Sequence, residues 1–107
     1  MSGAFEGLHK VEFGTPYGTG AGVIWLKDGN VHGGDSSMYY VGTYSVSGDK
    51  ITGRFIVKKH TSGQSVLGQD TSQVNFTGTI TGTSAMLSGN PVGLPNVVLK
   101  VKLTPLS

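Results

Sequence analysis

The chain has no cysteine. Disulfides and thiolate chemistry are therefore excluded, and packing with backbone hydrogen bonding must hold the fold. Charge is scarce as well: charged residues are 13% of the sequence and sum to a formal net charge of +2. So weak a basic excess leaves no electrostatic footprint for nucleic acid, and no nucleic-acid partner is expected. Hydrophobic residues make up 36%. With so little charge the chain is not of the disordered class, and with so little apolar sequence it is not of the membrane class. No apolar run approaches the length of a membrane-spanning helix. Met1-Ser2-Gly3-Ala4 lacks a basic segment followed by an apolar one, so no signal peptide is expected and a cytoplasmic location is. The helix formers Ala, Glu, Gln and Arg are few, and no segment sustains a 3.6-residue apolar period.

What is abundant is glycine, with 18 residues, together with Thr, Ser and Val. This composition favours strands and turns. A length of 107 residues suits one domain, 1–107, with residues 1–4 frayed. Phe5 to Phe13 alternates: Phe5, Gly7, His9, Val11 and Phe13 share one face, and Glu6, Leu8, Lys10 and Glu12 the other. Gly14 to Gly18 reads as a turn and Gly20 to Lys27 as a second strand. Asp28-Gly29 is a strong two-residue hairpin signal. It sets Lys27 against Asn30, Leu26 against Val31, Trp25 against His32 and Ile24 against Gly33. Ile24, Leu26 and Val31 then face inward, although Val23 and Trp25 are equally apolar.

Gly33-Gly34-Asp35 forms a corner. Gly34 is expected in a left-handed conformation. Asp35 is then expected as a side-chain acceptor for backbone N–H groups near Ser37 or Met38. Met38 to Val46 and Lys50 to Lys58 make the next hairpin. A loop at Gly48-Asp49 pairs Val46 with Ile51, Tyr44 with Gly53, Gly42 with Phe55 and Tyr40 with Val57. Apolar partners then share one face, and a slip of one residue destroys the match. The opposite face carries Thr43, Ser45, Thr52, Arg54 and Lys58 around one apolar pair, Val41 and Ile56. His60 to Gln73 reads as a long loop anchored by Val66-Leu67. Val74 to Ile80 and Thr83 to Ser88 read as a hairpin around Thr81-Gly82, with Phe76 opposite Leu87 and Gly78 opposite Ala85. Gly89 to Asn96 is a connection. Val97 to Leu103 is the last strand, with Lys100 and Lys102 outward. About eight short strands with mid-strand glycines give an all-β fold: a small up-and-down antiparallel β-barrel, with a flattened β-sandwich as the alternative.

The chemistry is sparse. His9, His32 and His60 lie in three different segments, none at metal-ligand spacing, so no metal site is expected. No G-x-S-x-G stands in the sequence and no acid–base pair shares a face, so no catalytic residue is expected. Gly18-x-Gly20-x-Gly22 enters a strand and not a helix, so it is no dinucleotide fingerprint and no cofactor is expected. Asp35 stands apart among the carboxylates: it reads first as a structural cap, with a ligand contact or a catalytic role as the alternatives. Lys58-Lys59-His60 and Lys100/Lys102 read as solvated strand edges. Tyr39, Tyr40 and Tyr44 offer a stacking surface for a ligand or cover for glycine backbone.

The run Lys27 to Gly42, KDGNVHGGDSSMYYVG, resembles the GrlR-type negative regulators of type III secretion, a bacterial family with a K-x-G-N-x-x-G-G-D motif before a Tyr-x-Gly strand. The likeness extends from Gly7 through the fifth strand and includes Ser65-Val66-Leu67. It implies a small lipocalin-like barrel that forms homodimers and acts by binding a protein. The family's founding regulator holds a transcriptional activator with an exposed acidic run after that strand. Here the place is taken by Val46-Ser47-Gly48-Asp49, with Asp49 as its single acid.

Three functions compete. One is a non-catalytic protein-binding regulator, homodimeric, with Val41, Ile56 and Arg54 at its interface. Another is a carrier of a small apolar ligand, contacted inside the barrel by Tyr40, Tyr44, Phe55 and Phe76. The third, an enzyme, lacks the residues for it. Inward glycines at 42, 53 and 78 leave room for a ligand, and the four aromatics can fill it.

Overall fold

The computed structural model describes residues 6–16, 18–61, 71–93 and 97–106. The strands are β1 (Gly7–Thr15), β2 (Gly18–Lys27), β3 (Asn30–Gly34), β4 (Met38–Ser47), β5 (Lys50–Lys59), β6 (Thr71–Thr81), β7 (Ser84–Pro91) and β8 (Leu99–Pro105). Each pairs antiparallel with its neighbour in sequence, and β8 returns to β1, so the sheet closes into an up-and-down barrel. The flattened sandwich is thereby excluded. Closure gives every strand a neighbour on both sides. Among the described residues no helix is long and apolar enough to cross a membrane.

Alternation decides the inside. Val11, Ile24, Leu26, Val31, Tyr40 and Tyr44 are buried, as are Ile51, Val57, Val74 and Phe76 further along. On β8, Leu99, Val101 and Leu103 are buried between exposed Lys100 and Lys102. Val23 and Trp25, as apolar as their neighbours, point outward. The β2–β3 register is that expected from Asp28-Gly29. Both turn residues have positive φ, 54° at Asp28 and 80° at Gly29, as a type I′ turn requires. The β4–β5 register is likewise the expected one, with Tyr44 opposite Gly53 and Gly42 opposite Phe55.

Four expectations are corrected. Gly34 is not left-handed; it is absent from the positive-φ glycines. Its need for glycine is steric, because a Cβ there would stand 2.8 Å from the Met38 carbonyl oxygen. The β6–β7 turn is Gly82-Thr83, and the register moves by two residues, to Phe76 opposite Gly89 and Gly78 opposite Leu87. The cause is turn type. Gly82 has φ 64° and Thr83 is not in the positive-φ region, which fits a type II′ turn with glycine at its first central position. Strand β6 begins at Thr71, before the expected Val74, and β7 runs on through Gly89 to a buried Pro91. Strand β8 starts at Leu99, after the expected Val97, and continues to Pro105 opposite His9. Phe5, Val66-Leu67 and Pro95 lie outside the described residues.

Candidate functional site

Two features of the barrel stand out: its open end near the glycine corner, and one outer face.

The corner between β3 and β4 is built by Asp35. Its Oδ1 accepts hydrogen bonds from the backbone N–H groups of Ser37 (2.9 Å) and Met38 (2.8 Å). Its Oδ2 accepts one from the Tyr40 hydroxyl. The Asp35 N–H donates to the Met38 carbonyl at 2.9 Å, which closes the loop. The turn expected at this position is therefore present, and Tyr40 is a partner that backbone logic alone did not name. Strand β5 ends against the same corner. The His60 N–H donates to the Ser37 carbonyl at 2.9 Å, and His60 Nε2 lies 3.0 Å from the Asp35 carbonyl oxygen. Burial, reinforced by the hydrogen bond and the negative charge of Asp35, holds the Tyr40 hydroxyl well above the ordinary phenol range.

Beneath this corner lies a cavity of about 220 Å³. Val11, Phe13, Ile24, Met38, Val57 and Val101 form most of its wall, and Thr19, Asp35, Ser36 and Ser37 form its polar side. Of the expected interior contacts, Tyr40, Phe55 and Phe76 reach this cavity. Tyr44 does not; it is buried further along β4. The barrel is thus filled in part and hollow in part. Phe55 and Phe76 pack at 4.8 Å between centroids, and Phe13 meets Tyr40 edge-on at 6.1 Å. His9 is inside the barrel too, 2% exposed, with Nδ1–H donating to the Gly7 carbonyl at 3.1 Å. Burial lowers its pKa, and the hydrogen bond only partly opposes that.

The outer face is organised by strand register. Leu8 stands opposite Trp25, Trp25 opposite His32, His32 opposite Val41 and Val41 opposite Ile56. Paired residues share a face of the sheet, so these side chains form one row across five strands. A neighbouring row runs Lys10, Val23, Gly34, Tyr39, Lys58. On the other side runs Lys27, Asn30, Thr43, Arg54. Val23, Trp25, Tyr39 and Ile56 are 46%, 45%, 38% and 37% exposed. The expected pair Val41 and Ile56 is therefore one end of a longer apolar stripe, and Arg54 flanks it. Trp25 was not assigned to this face because alternation alone could not say that Val23 and Trp25 point outward, and Tyr39, grouped in the sequence with Tyr40 and Tyr44, is exposed while those two are buried. The register to His32 and Val41 was the available signal. Among the described residues, Lys10 has a carboxylate within reach, Glu12 at 3.7 Å, while Lys27, Arg54 and Lys58 have none. Glu6, near Lys27, accepts the Asp28 N–H at 2.6 Å.

No protein-family model matches the chain, and no curated protein matches it.

Proposed function

We propose that the protein is a non-catalytic binding protein that works through the outer face of β1–β5. Its partner is a protein surface with apolar anchors set among carboxylates. One observation carries this reading: the stripe from Leu8 through Trp25 and Val41 to Ile56 lies between Lys10 and Lys58 on one side and Lys27 and Arg54 on the other. An apolar centre within a charged rim is the composition of a contact surface, and the sign of the rim selects a partner of opposite charge. A homodimer through the same face is the second occupant to consider, favoured by the length of the stripe. It would bring several cations of each copy towards those of the other, which disfavours it.

The resemblance of Lys27–Gly42 to GrlR-type regulators supports action by protein contact. The polarity is reversed in this chain. The β4–β5 hairpin tip carries Asp49 as its single acid, whereas the face next to it is basic. A basic activator is therefore not the partner we propose. Turnover is disfavoured because Asp35 and Tyr40 are the titratable groups among the described residues of the cavity wall, and no nucleophile–base–oxyanion set accompanies them.

The test uses an acidic amphipathic peptide with Leu and Phe anchors. Binding should follow a 1:1 isotherm, weaken with salt and be lost in Ile56→Asp with the fold intact. Tight binding of a basic peptide instead, or no effect of Ile56→Asp, overturns the reading. Concentration-dependent dimerisation abolished by the same variant assigns the face to a second copy.

A further inference from the structure

We propose that the cavity under the glycine corner binds a small organic amine, with its ammonium at Asp35 and its aryl or alkyl tail among Phe13, Phe55 and Phe76. This site is separate from the outer face and does not depend on its role.

Size sets the first constraint. A cavity of about 150 Å³ lined by apolar side chains accepts benzene. The cavity here is about 220 Å³, enough for a single ring with a short chain. Its wall supplies the second constraint. Phe13, Tyr40, Phe55 and Phe76 present aromatic surface to it, and aromatic faces attract a cation once water is excluded.

Charge is the deciding constraint. The sequence has 8 Lys and Arg residues. All of them lie in the described segments, and none lines the cavity. The polar side is instead a carboxylate with Thr and Ser hydroxyls. A carboxylate offers about four acceptor positions. Ser37 N–H and Met38 N–H occupy two on Oδ1, and the Tyr40 hydroxyl occupies one on Oδ2. The position left is on Oδ2, beside the hydroxyl. The donors already present fix the orientation of the group, so a ligand cation meets a preorganised acceptor. A neutral apolar guest would strip water from that carboxylate and give nothing back, at a cost in affinity. An anion would meet like charge. His60, just past the end of β5, faces the corner, but its ring nitrogens are engaged with the Asp35 carbonyl and the Thr61 hydroxyl, and it is not part of the cavity wall.

The experiment titrates the protein with 2-phenylethylamine, with ethylbenzene as its neutral counterpart and with 3-phenylpropionate as an anion. Heteronuclear NMR shifts and calorimetry give the readout. The amine should bind 1:1, shift the resonances of Phe13, Met38 and Val57, and bind about tenfold or more tighter than ethylbenzene. The propionate should not bind. In Asp35→Asn, which keeps a side-chain oxygen for the Ser37 and Met38 N–H groups, the amine should fall to the affinity of ethylbenzene. If that variant does not fold, salt on the wild-type protein gives the same contrast, because it should weaken the amine and leave ethylbenzene unchanged. Equal affinity for amine and ethylbenzene, a preference that survives Asp35→Asn, or no amine binding at millimolar concentration overturns the proposal.

Discussion

Alanine at Gly42 should be far more damaging than alanine at Gly20, although each adds one methyl group to the inside of the barrel. A Cβ at position 42 would stand 2.1 Å from the Arg54 carbonyl oxygen and 2.9 Å from the Phe55 Cα. Both atoms are backbone of β5, so relief requires moving a strand that is hydrogen-bonded on both sides. A Cβ at position 20 would meet the far edge of the Phe13 ring, at 2.8 Å from Cε2 and 2.9 Å from Cζ. A ring can swing away. Overpacking of a core costs about 1–3 kcal/mol, whereas losing glycine's freedom in the unfolded chain returns about 0.4–1 kcal/mol. The balance leaves Gly42→Ala destabilised by roughly 1–2 kcal/mol and Gly20→Ala near neutral. For a domain of this size that lowers the thermal midpoint by about 4–8 °C per kcal/mol. Urea unfolding followed by circular dichroism measures both. Phe13→Leu should rescue any loss in Gly20→Ala, and Phe55→Leu should not rescue Gly42→Ala. Equal midpoints for the two glycine variants, or full rescue of Gly42→Ala by Phe55→Leu, refutes the reasoning.

Three further outcomes are expected. Asp35→Ala should cost about 1–3 kcal/mol, because it strands the Ser37 and Met38 N–H groups and the Tyr40 hydroxyl, while Asp35→Asn costs less; identical denaturation curves for the two would contradict the hydrogen-bonding account. His9 carries a lowered pKa in the folded state, so the unfolded chain binds more protons below about pH 6.5 and stability falls as pH drops through that value. Unfolding free energies measured between pH 7.5 and 5 should show this slope in the wild type and a shallower one in His9→Gln; parallel slopes would remove His9 from the account. Tyr40 has a raised pKa, so its contribution is present below about pH 10 and is lost as pH rises further; Tyr40→Phe should flatten the alkaline loss of stability, as followed by urea midpoints at pH 9 and 11.

The fold was legible where local chemistry was unambiguous. Asp28-Gly29 fixed one hairpin through its two positive φ angles. Between β4 and β5, glycines opposite aromatics fixed another, since a slip of one residue would have set the inward apolar residues of one strand against Thr43 or Arg54 on the other. The β6–β7 register was not legible in the same way, because Thr81-Gly82-Thr83 allows glycine at either central position and the flanking alternation survives a shift of two. Pro91 and Gly89 looked like the end of a strand. Barrel closure buries both, since β7 has neighbours on each side. Of the candidate sites, the Asp35 turn could be read from Gly-Gly-Asp followed by two serines. The partnership with Tyr40 could not, because it depends on the inward face of β4 meeting the mouth of the barrel. The outer stripe was visible only at Val41 and Ile56. Its remainder joins residues from β1, β2 and β4 that are neighbours only after pairing.

The outer stripe carries its own reporter, since Trp25 is the single tryptophan of the sequence and stands on it 45% exposed. Titration with the acidic amphipathic peptide, followed by Trp25 fluorescence at two salt concentrations, is the direct measurement. A saturable blue shift that weakens with salt and vanishes in Ile56→Asp is the result predicted here. An emission maximum that stays at its solvent-exposed position, while the peptide binds by calorimetry, would place the contact elsewhere on the barrel and contradict the account.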